Sequence, residues 1–241
     1  MATYHGGKQR IGKKISEIIY ENVMNQNKMF PEGTSRREIK VDTYIEPFCG
    51  MLGVYRWMPS KFGDKFTYFA GDINKSIILM WKKIQEGWEP PISCSEERFK
   101  KLKYDGKYSA IKGYVGHLCT YRGVFFDSYY QQKSSKMETN RKRTLEIGKQ
   151  IGNVTFTSDS YKQFSNVKNA VIYTDPPYWG GEQRYYEGKE YKNRLVFDNE
   201  EFFNWCRQMS KHNLIFISEY SAPPDFILLA SFGPKEKLFT I

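Results

Sequence analysis

The sequence predicts an α/β fold built on a parallel sheet, and three observations carry that prediction. Short runs of β-branched and aromatic residues alternate along the chain with apolar residues at helical spacing. Several of the β-like runs stop at an acidic or glycine-bearing turn, as the strands of an open parallel sheet do where they face a ligand crevice. The alternation breaks between about residues 88 and 150, where lysine and tyrosine accumulate, and the break predicts a basic insertion.

The elements follow in order. Behind a first turn at Tyr4-His5-Gly6-Gly7-Lys8, residues Ile11, Ile15, Ile18 and Ile19 mark a helix. A loop with Pro31, Gly33 and Ser35 leads to a strand at about residues 41–45, then to EPFCGMLGVY, a glycine-containing turn running into a short helix. KFTYFAGDIN reads as a strand ending at Asp72, and Ile77, Ile78, Trp81 and Ile84 mark the next helix. Residues 90–150 show little clean periodicity before VTFTSD returns to a β-like run and VIYTDPPY supplies another strand. Asp198 with Glu201 forms a capping box ahead of Phe202, Trp205, Cys206 and Met209, the apolar face of a helix. Residues 214–217 form a strand closed by SEYSAPP. KEKLFTI reads as a last strand, and with Ile241 close behind it the final hairpin is expected to be abbreviated.

A chain of 241 residues is long enough for one α/β domain with a small insertion. Its 37 Lys and Arg against 27 acidic residues favour a polyanionic partner such as nucleic acid or an anionic membrane surface. Most of the excess lies in residues 96–150, where thirteen basic residues face six acidic ones and tyrosines are interleaved. The competing interpretation is a solvated lysine-rich surface. No apolar run is long enough to span a bilayer, and the polar, basic start of the sequence does not suggest a signal peptide. Cys49, Cys94, Cys119 and Cys206 lack zinc-like spacing and read as reduced thiols of an intracellular protein.

The stretch VIYTDPPY is the most informative. Pro176 and Pro177 lack amides and hold the residues before them extended, so the Asp175 carboxylate projects from the strand end and the Pro176 carbonyl stays a bare acceptor. Two acceptors beside the flat ring of Tyr178 suit a planar partner bearing an amino group, such as a nucleobase. The alternative is an ordinary strand end followed by a Pro-Pro turn. Gly50 lets the backbone approach a ligand closely, and Asp72, about 20 residues on, stands where a carboxylate can hold both ribose hydroxyls. Without a full GxGxxG to cradle a pyrophosphate, a nucleoside lacking phosphates suits these turns better than a dinucleotide. Asp159, beyond VTFTS, could face the cofactor's base or simply cap a helix.

YHGGK, EPFCG, GDIN, SDSY, DPPY and FISEYSAP occur in the order seen in Dam-type (alpha-class) DNA adenine-N6 methyltransferases, which this chain resembles over nearly its whole length. The resemblance implies a Rossmann-like methyltransferase sheet with an inserted target-recognition domain. Residues 1–87 and 151–241 would form the catalytic part that binds S-adenosylmethionine, and residues 88–150 the recognition insertion. It further implies that Tyr4, Gly6, Gly7 and Lys8 close over the methionine part of the cofactor, that Glu46, Phe48 and Gly50 lie beneath it, and that Asp72 binds its ribose and Asp159 its adenine. Asp175, Pro176 and Tyr178 would hold the target base. The expected activity is methylation of adenine N6 in double-stranded DNA inside a bacterial or phage-infected cell, with or without a restriction partner. A cytosine-N4 enzyme and a non-catalytic DNA-binding protein on the same fold are the alternatives. Arg122, in a glycine-flanked turn, is placed to read a guanine edge, and Arg141, Lys142 and Arg143 to bind phosphates. Two features depart from the family pattern. Leu52 stands where a second glycine is usual, and HLCTYRGVFFDSYY does not match the recognition hairpin of GATC-specific members, so no target sequence is carried over.

Overall fold

The computed structural model describes residues 7–26, 38–178 and 197–241. Among these residues, strands β1 (Thr43–Glu46), β2 (Thr67–Gly71), β3 (Thr155–Thr157), β4 (Ala170–Thr174), β5 (Leu214–Glu219), β6 (Ile227–Ser231) and β7 (Lys237–Thr240) form one sheet. Its order is β3-β2-β1-β4-β5-β7-β6. The first five strands are parallel, β7 runs antiparallel to β5, and β6 antiparallel to β7. The architecture is a Rossmann-like sheet of parallel strands, as the sequence predicts, extended by an antiparallel hairpin.

Strand residues alternate between two cores, as the twofold period of a strand requires. Tyr44, Val171, Tyr173, Leu214 and Phe216 face one side, while Ile45, Ala170, Ile172, Ile215 and Ile217 face the other. Because both faces are covered, β4 and β5 are buried along their whole length and read as continuous apolar runs. Helices α1 (Gly12–Met24) and α3 (Lys75–Gln85) belong to the first core, which also takes the short α2 (Pro59–Phe62). Helix α7 (Asn199–Met209) covers the second with Phe202, Phe203, Trp205, Cys206 and Met209. The Asp198 carboxylate accepts the Glu201 amide at 2.9 Å, whereas the Glu201 side chain turns to Lys162. Thus the amino-terminal half of the expected capping box carries the cap.

Residues 88–150 contain three helices, α4 (Glu96–Tyr104), α5 (Ala110–Leu118) and α6 (Ser134–Gln150), where the sequence showed little periodicity. The reason is burial. Residues 112–118 of α5 are buried on every side, so no polar face alternates with an apolar one. Helix α6 buries Asn140 and Thr144 among its core-facing residues, which blurs its stripe. Phe99, Tyr114, Leu118, Met137 and Ile147 share one core with Ile77, Trp81 and Ile84 of α3. At Gly113 the backbones of α5 and α3 meet, since a β-carbon there would stand 2.2 Å from the Ser76 carbonyl oxygen.

The final hairpin is formed by β6 and the four-residue β7, and β6 is the strand that the sequence did not mark. It alternates weakly and is only partly buried, as an edge strand can be. The turn into β7 closes with the Phe232 amide on the Glu236 carbonyl at 2.8 Å, and Gly233 takes φ 112°, a conformation in which glycine meets no side-chain clash.

Candidate active site

In an open α/β sheet the ligand crevice lies beyond the carboxyl ends of the strands, where the strand order reverses. Here the order reverses between β1 and β4. Glu46 ends β1 and Thr174 ends β4, with Asp175 directly after it; Gly71, Thr157 and Glu219 end the other parallel strands on the same edge. Because β7 is antiparallel and pairs Lys237 with Glu219, its start also lies at this edge and brings Glu236 there.

The β4 end carries a four-residue polar cluster. Lys8 is buried and places Nζ 2.7 Å from Asp175 Oδ1 and 3.4 Å from Glu236 Oε1. The same ammonium lies 4.8 Å from the Tyr178 ring centroid. The Tyr178 hydroxyl donates to Glu236 Oε1 at 2.5 Å, and its ring meets Tyr220 edge-on at 4.5 Å. Burial raises the Asp175 carboxyl above its usual range, and the Lys8 ammonium opposes the rise. Glu236 is raised for the same first reason, with Lys8 opposing and Asp175 adding. Burial, then the charges of Asp175 and Glu236, push the Tyr178 phenol far up, so it stays a neutral donor. Among the described backbone hydrogen bonds, none ends on the Pro176 carbonyl.

Close backbone packing fixes Lys8. Its carbonyl accepts the Gly12 amide at 2.6 Å, and the Gln9 side chain donates to the Met51 carbonyl at 2.7 Å. A β-carbon on Gly53 would stand 3.0 Å from the Lys8 carbonyl carbon, and one on Gly12 would stand 2.0 Å from the Gly53 oxygen. The turn after β1 thus rests directly on the start of α1. Leu52, which stands where the resemblance leads one to expect a glycine, has φ 55° and is fully buried, so the loop keeps a left-handed bend while a leucine side chain fills the core.

On the β1–β2 side, Asp72 ties two backbone segments together. Its Oδ2 accepts the Gly50 amide at 2.9 Å and its Oδ1 the Asn74 amide at 2.8 Å. Each oxygen retains a second lone pair, enough for two ribose hydroxyls. Burial raises the Asp72 carboxyl to about 6 against the pull of these two bonds. Gly50 has φ 44°, and its carbonyl accepts the Trp81 indole N–H at 2.9 Å. Phe48 stacks on Tyr161 with centroids 5.6 Å apart. Asp159 is exposed beyond β3 and accepts the Ser160 amide at 2.7 Å; Ser160, not Asp159, caps the 3-10 turn Tyr161–Phe164. The buried Thr157 hydroxyl beside them has no hydrogen-bond partner among the described residues. Glu46 lies deeper, accepts the Tyr44 hydroxyl at 2.7 Å, and is raised by burial. Burial also raises the Cys49 thiol, as expected of a structural cysteine.

The remaining sequence candidates are dispersed. Tyr4 and Gly6 lie outside the described residues, as does the Arg122 side chain, whose backbone forms the 3-10 turn Tyr121–Gly123; Gly7 is exposed. Arg141 pairs with Glu89, Lys142 pairs with Glu138 at 3.0 Å, and Arg143 is exposed. Exposed Tyr104, Tyr108, Tyr121 and Tyr130 stand among the lysines of the same segment. Sequence reasoning missed Glu236, which lies 58 residues from Tyr178 in a short turn and belongs to no motif. It also missed the Gly12–Gly53 contact, which the crowding of glycines around EPFCGMLG hints at.

Residues 117–228, a little under half of the chain, match the family model described as D12 class N6 adenine-specific DNA methyltransferase. The match includes Asp175, Pro176 and Tyr178 and ends before Glu236. No curated protein matches the sequence. Among solved structures the chain is similar to the "putative methylase HI0767" from Haemophilus influenzae, at 10% identity and a TM-score of 0.37 over 93% of this chain and 97% of that one.

Proposed function

We propose, from the match of residues 117–228 to the DNA adenine-N6 methyltransferases, that the chain transfers a methyl group from S-adenosylmethionine to the N6 of a flipped-out adenine in double-stranded DNA within a cell. One observation carries the finer part of this reading. An N–H donor, the Lys8 ammonium, lies against the Asp175 carboxylate and over the Tyr178 ring at once, in the two contacts that an adenine amino group would need. Hydrogen bonding alone would suit a cytosine N4 amino group equally; the family match favours adenine.

When bound, S-adenosylmethionine supplies an electrophilic methyl group on a sulfonium sulfur, which keeps the bonding pair as the methyl leaves. The chain's task is to improve and align a nitrogen whose lone pair is delocalised into the base. Asp175 accepts one N–H and the Pro176 carbonyl the other, which favours a tetrahedral nitrogen. The carboxylate offsets the positive charge that develops there and is the nearest group to receive the proton that N6 gives up. A charged hydrogen bond of this kind contributes roughly 1.5 to 3 kcal/mol. Holding two reactants in line supplies about 7 to 11 kcal/mol, so alignment is the larger effect.

Asp72 with Gly50, Phe48 and Asp159 suits the nucleoside part of that cofactor, while Gly7 and Lys8, with Tyr4 and Gly6, would close over its methionine part above Glu46. The raised carboxyl of Asp72 gives a signed pH prediction. Between its unfolded value of 3.8 and about 6, the folded protein holds a proton that the unfolded chain has released, so this group's contribution to stability shrinks as pH rises through that window. Ribose binding needs the ionised form. Affinity for S-adenosylmethionine is therefore expected to fall as pH drops below about 6, and calorimetry across pH should find that fall abolished in Asp72→Asn.

Flipping a paired base out of a duplex costs a few kcal/mol, which DNA contacts must offset. Residues 88–150 carry the charge for that grip, with Arg122 a candidate for base contact. Replacing Arg141, Lys142 and Arg143 together is expected to weaken binding to all sequences and to flatten its salt dependence by about 0.9 in log–log slope for each phosphate no longer neutralised. Salt titrations of DNA binding would check this, and an unchanged slope would make the cluster an ordinary solvated surface. The function itself is tested by mass spectrometry of nucleosides from unbiased DNA incubated with the protein and S-adenosylmethionine. N6-methyladenine is expected. N4-methylcytosine in its place would redirect the proposal, and neither product would end it.

A further inference from the structure

We infer that Glu236 is a positioning residue for the target base: it receives the Lys8 ammonium when an incoming amino group displaces it from Asp175. The inference rests on Asp175 and Tyr178 forming the base cradle proposed above.

Lys8 occupies both places that the base requires. Its Nζ holds Asp175 Oδ1 at 2.7 Å and stands over the Tyr178 ring at 4.8 Å. A base cannot stack on that face while an ammonium covers it, so Lys8 must move for the amino group to reach the carboxylate. Lys8 is only 5% exposed, Asp175 18% and Glu236 21%. Stripping one partner from a buried ion pair leaves an uncompensated charge and is strongly unfavourable. Glu236 removes that obstacle, because its Oε1 lies 3.4 Å from the same nitrogen and a shift of roughly an ångström turns this contact into a full charged hydrogen bond.

Glu236 is itself held in place. Its carbonyl closes the β6–β7 turn by accepting the Phe232 amide, and the next residue, Lys237, is the first of β7 to pair with β5. Its carboxylate also accepts the Tyr178 hydroxyl, so the group that receives Lys8 also orients the ring on which the base would lie. Two carboxylates around one ammonium make a transfer site: in the empty cradle Lys8 neutralises Asp175, and in the filled cradle it neutralises Glu236.

The test uses DNA with 2-aminopurine beside the adenine identified by mapping N6-methyladenine in plasmid DNA, so that flipping is read by the fluorescence of the unstacked neighbour while the target keeps its N6 amino group. Wild type, Glu236→Gln, Glu236→Asp, Lys8→Met and the Lys8→Met/Glu236→Gln double variant are compared, with unfolding curves and cofactor affinity measured for each. Glutamine keeps an acceptor for the Tyr178 hydroxyl but removes the charge. Glu236→Gln is expected to lower the flipped fraction and kcat by about tenfold with KM for DNA near wild type, the scale of one charged hydrogen bond. Glu236→Asp should restore part of the loss, and in the Lys8→Met background Glu236→Gln should have no further effect on flipping. Wild-type flipping in Glu236→Gln would overturn the inference, as would an equal loss with and without Lys8, which would leave Glu236 acting through Tyr178 alone. Methylation by the wild type is scored in the same samples, so a failure of the methyltransferase proposal is distinguishable from a failure confined to Glu236.

Discussion

Asp175→Ala is expected to lower methyl transfer to DNA by roughly a hundred- to a thousandfold, the scale of losing a preorganised group at a developing charge. Binding of S-adenosylmethionine should stay near wild type, because the carboxylates assigned to that ligand are Glu46, Asp72 and Asp159. The fold should survive as well. Without Asp175 the buried Lys8 ammonium still has Glu236 at 3.4 Å, so the substitution does not strand a charge. Single-turnover methylation, calorimetry with the cofactor and an unfolding curve on the same preparation would check all three statements. Near-normal turnover would mean that Asp175 merely anchors Lys8.

Gly12→Ala is expected to have the second large effect, and on stability first. In an ordinary helix this change is favourable by about 1 kcal/mol, because alanine has the better propensity. At this position the new methyl carbon would lie 2.0 Å from the Gly53 carbonyl oxygen, a backbone atom that no side-chain rotation can move. The start of α1 and the turn after β1 must therefore separate, and overpacking of this sort typically costs about 1 to 3 kcal/mol. Activity should fall further than stability. The two segments that would part carry Lys8 on one side and Gly50 on the other, so both halves of the crevice lose alignment. Urea unfolding paired with cofactor titration would show it. A more stable Gly12→Ala protein would mean that the seam is looser than described.

The parallel sheet and its strand ends were legible because their information is local. Four of the five parallel strands end in a turn whose chemistry is written in adjacent letters: Glu46 to Gly50, Asp72, Asp159, and Asp175 to Tyr178. The helices of residues 88–150 were not legible, because α5 is enclosed by other elements and has no solvent face to set a period. Strand β6 failed for the opposite reason, having too little buried surface to alternate clearly. Glu236 was invisible because its meaning depends on an antiparallel β7 delivering it to Tyr178, a fact of sheet topology rather than of neighbouring residues. Lys8 lies in the crevice beyond the strand ends, but its ion pair with Asp175 spans 167 positions and no spacing rule encodes it.

The meeting of Gly113 with Ser76 bears on how proteins of this shape could diversify. A recognition segment joined to its catalytic partner by a linker can be exchanged wholesale between relatives, each half folding as before. Here residues 88–150 reach the rest of the chain through backbone contact and a common interior, so a transplanted version would arrive with the wrong surface for α3 and open a fault in the host. Under the proposed function, new target preferences on this scaffold should therefore accumulate by single exchanges on the outward side of residues 119–133 and of α6, leaving the inward side untouched. Lineages built this way would drift in specificity gradually, without the abrupt jumps that cassette exchange allows.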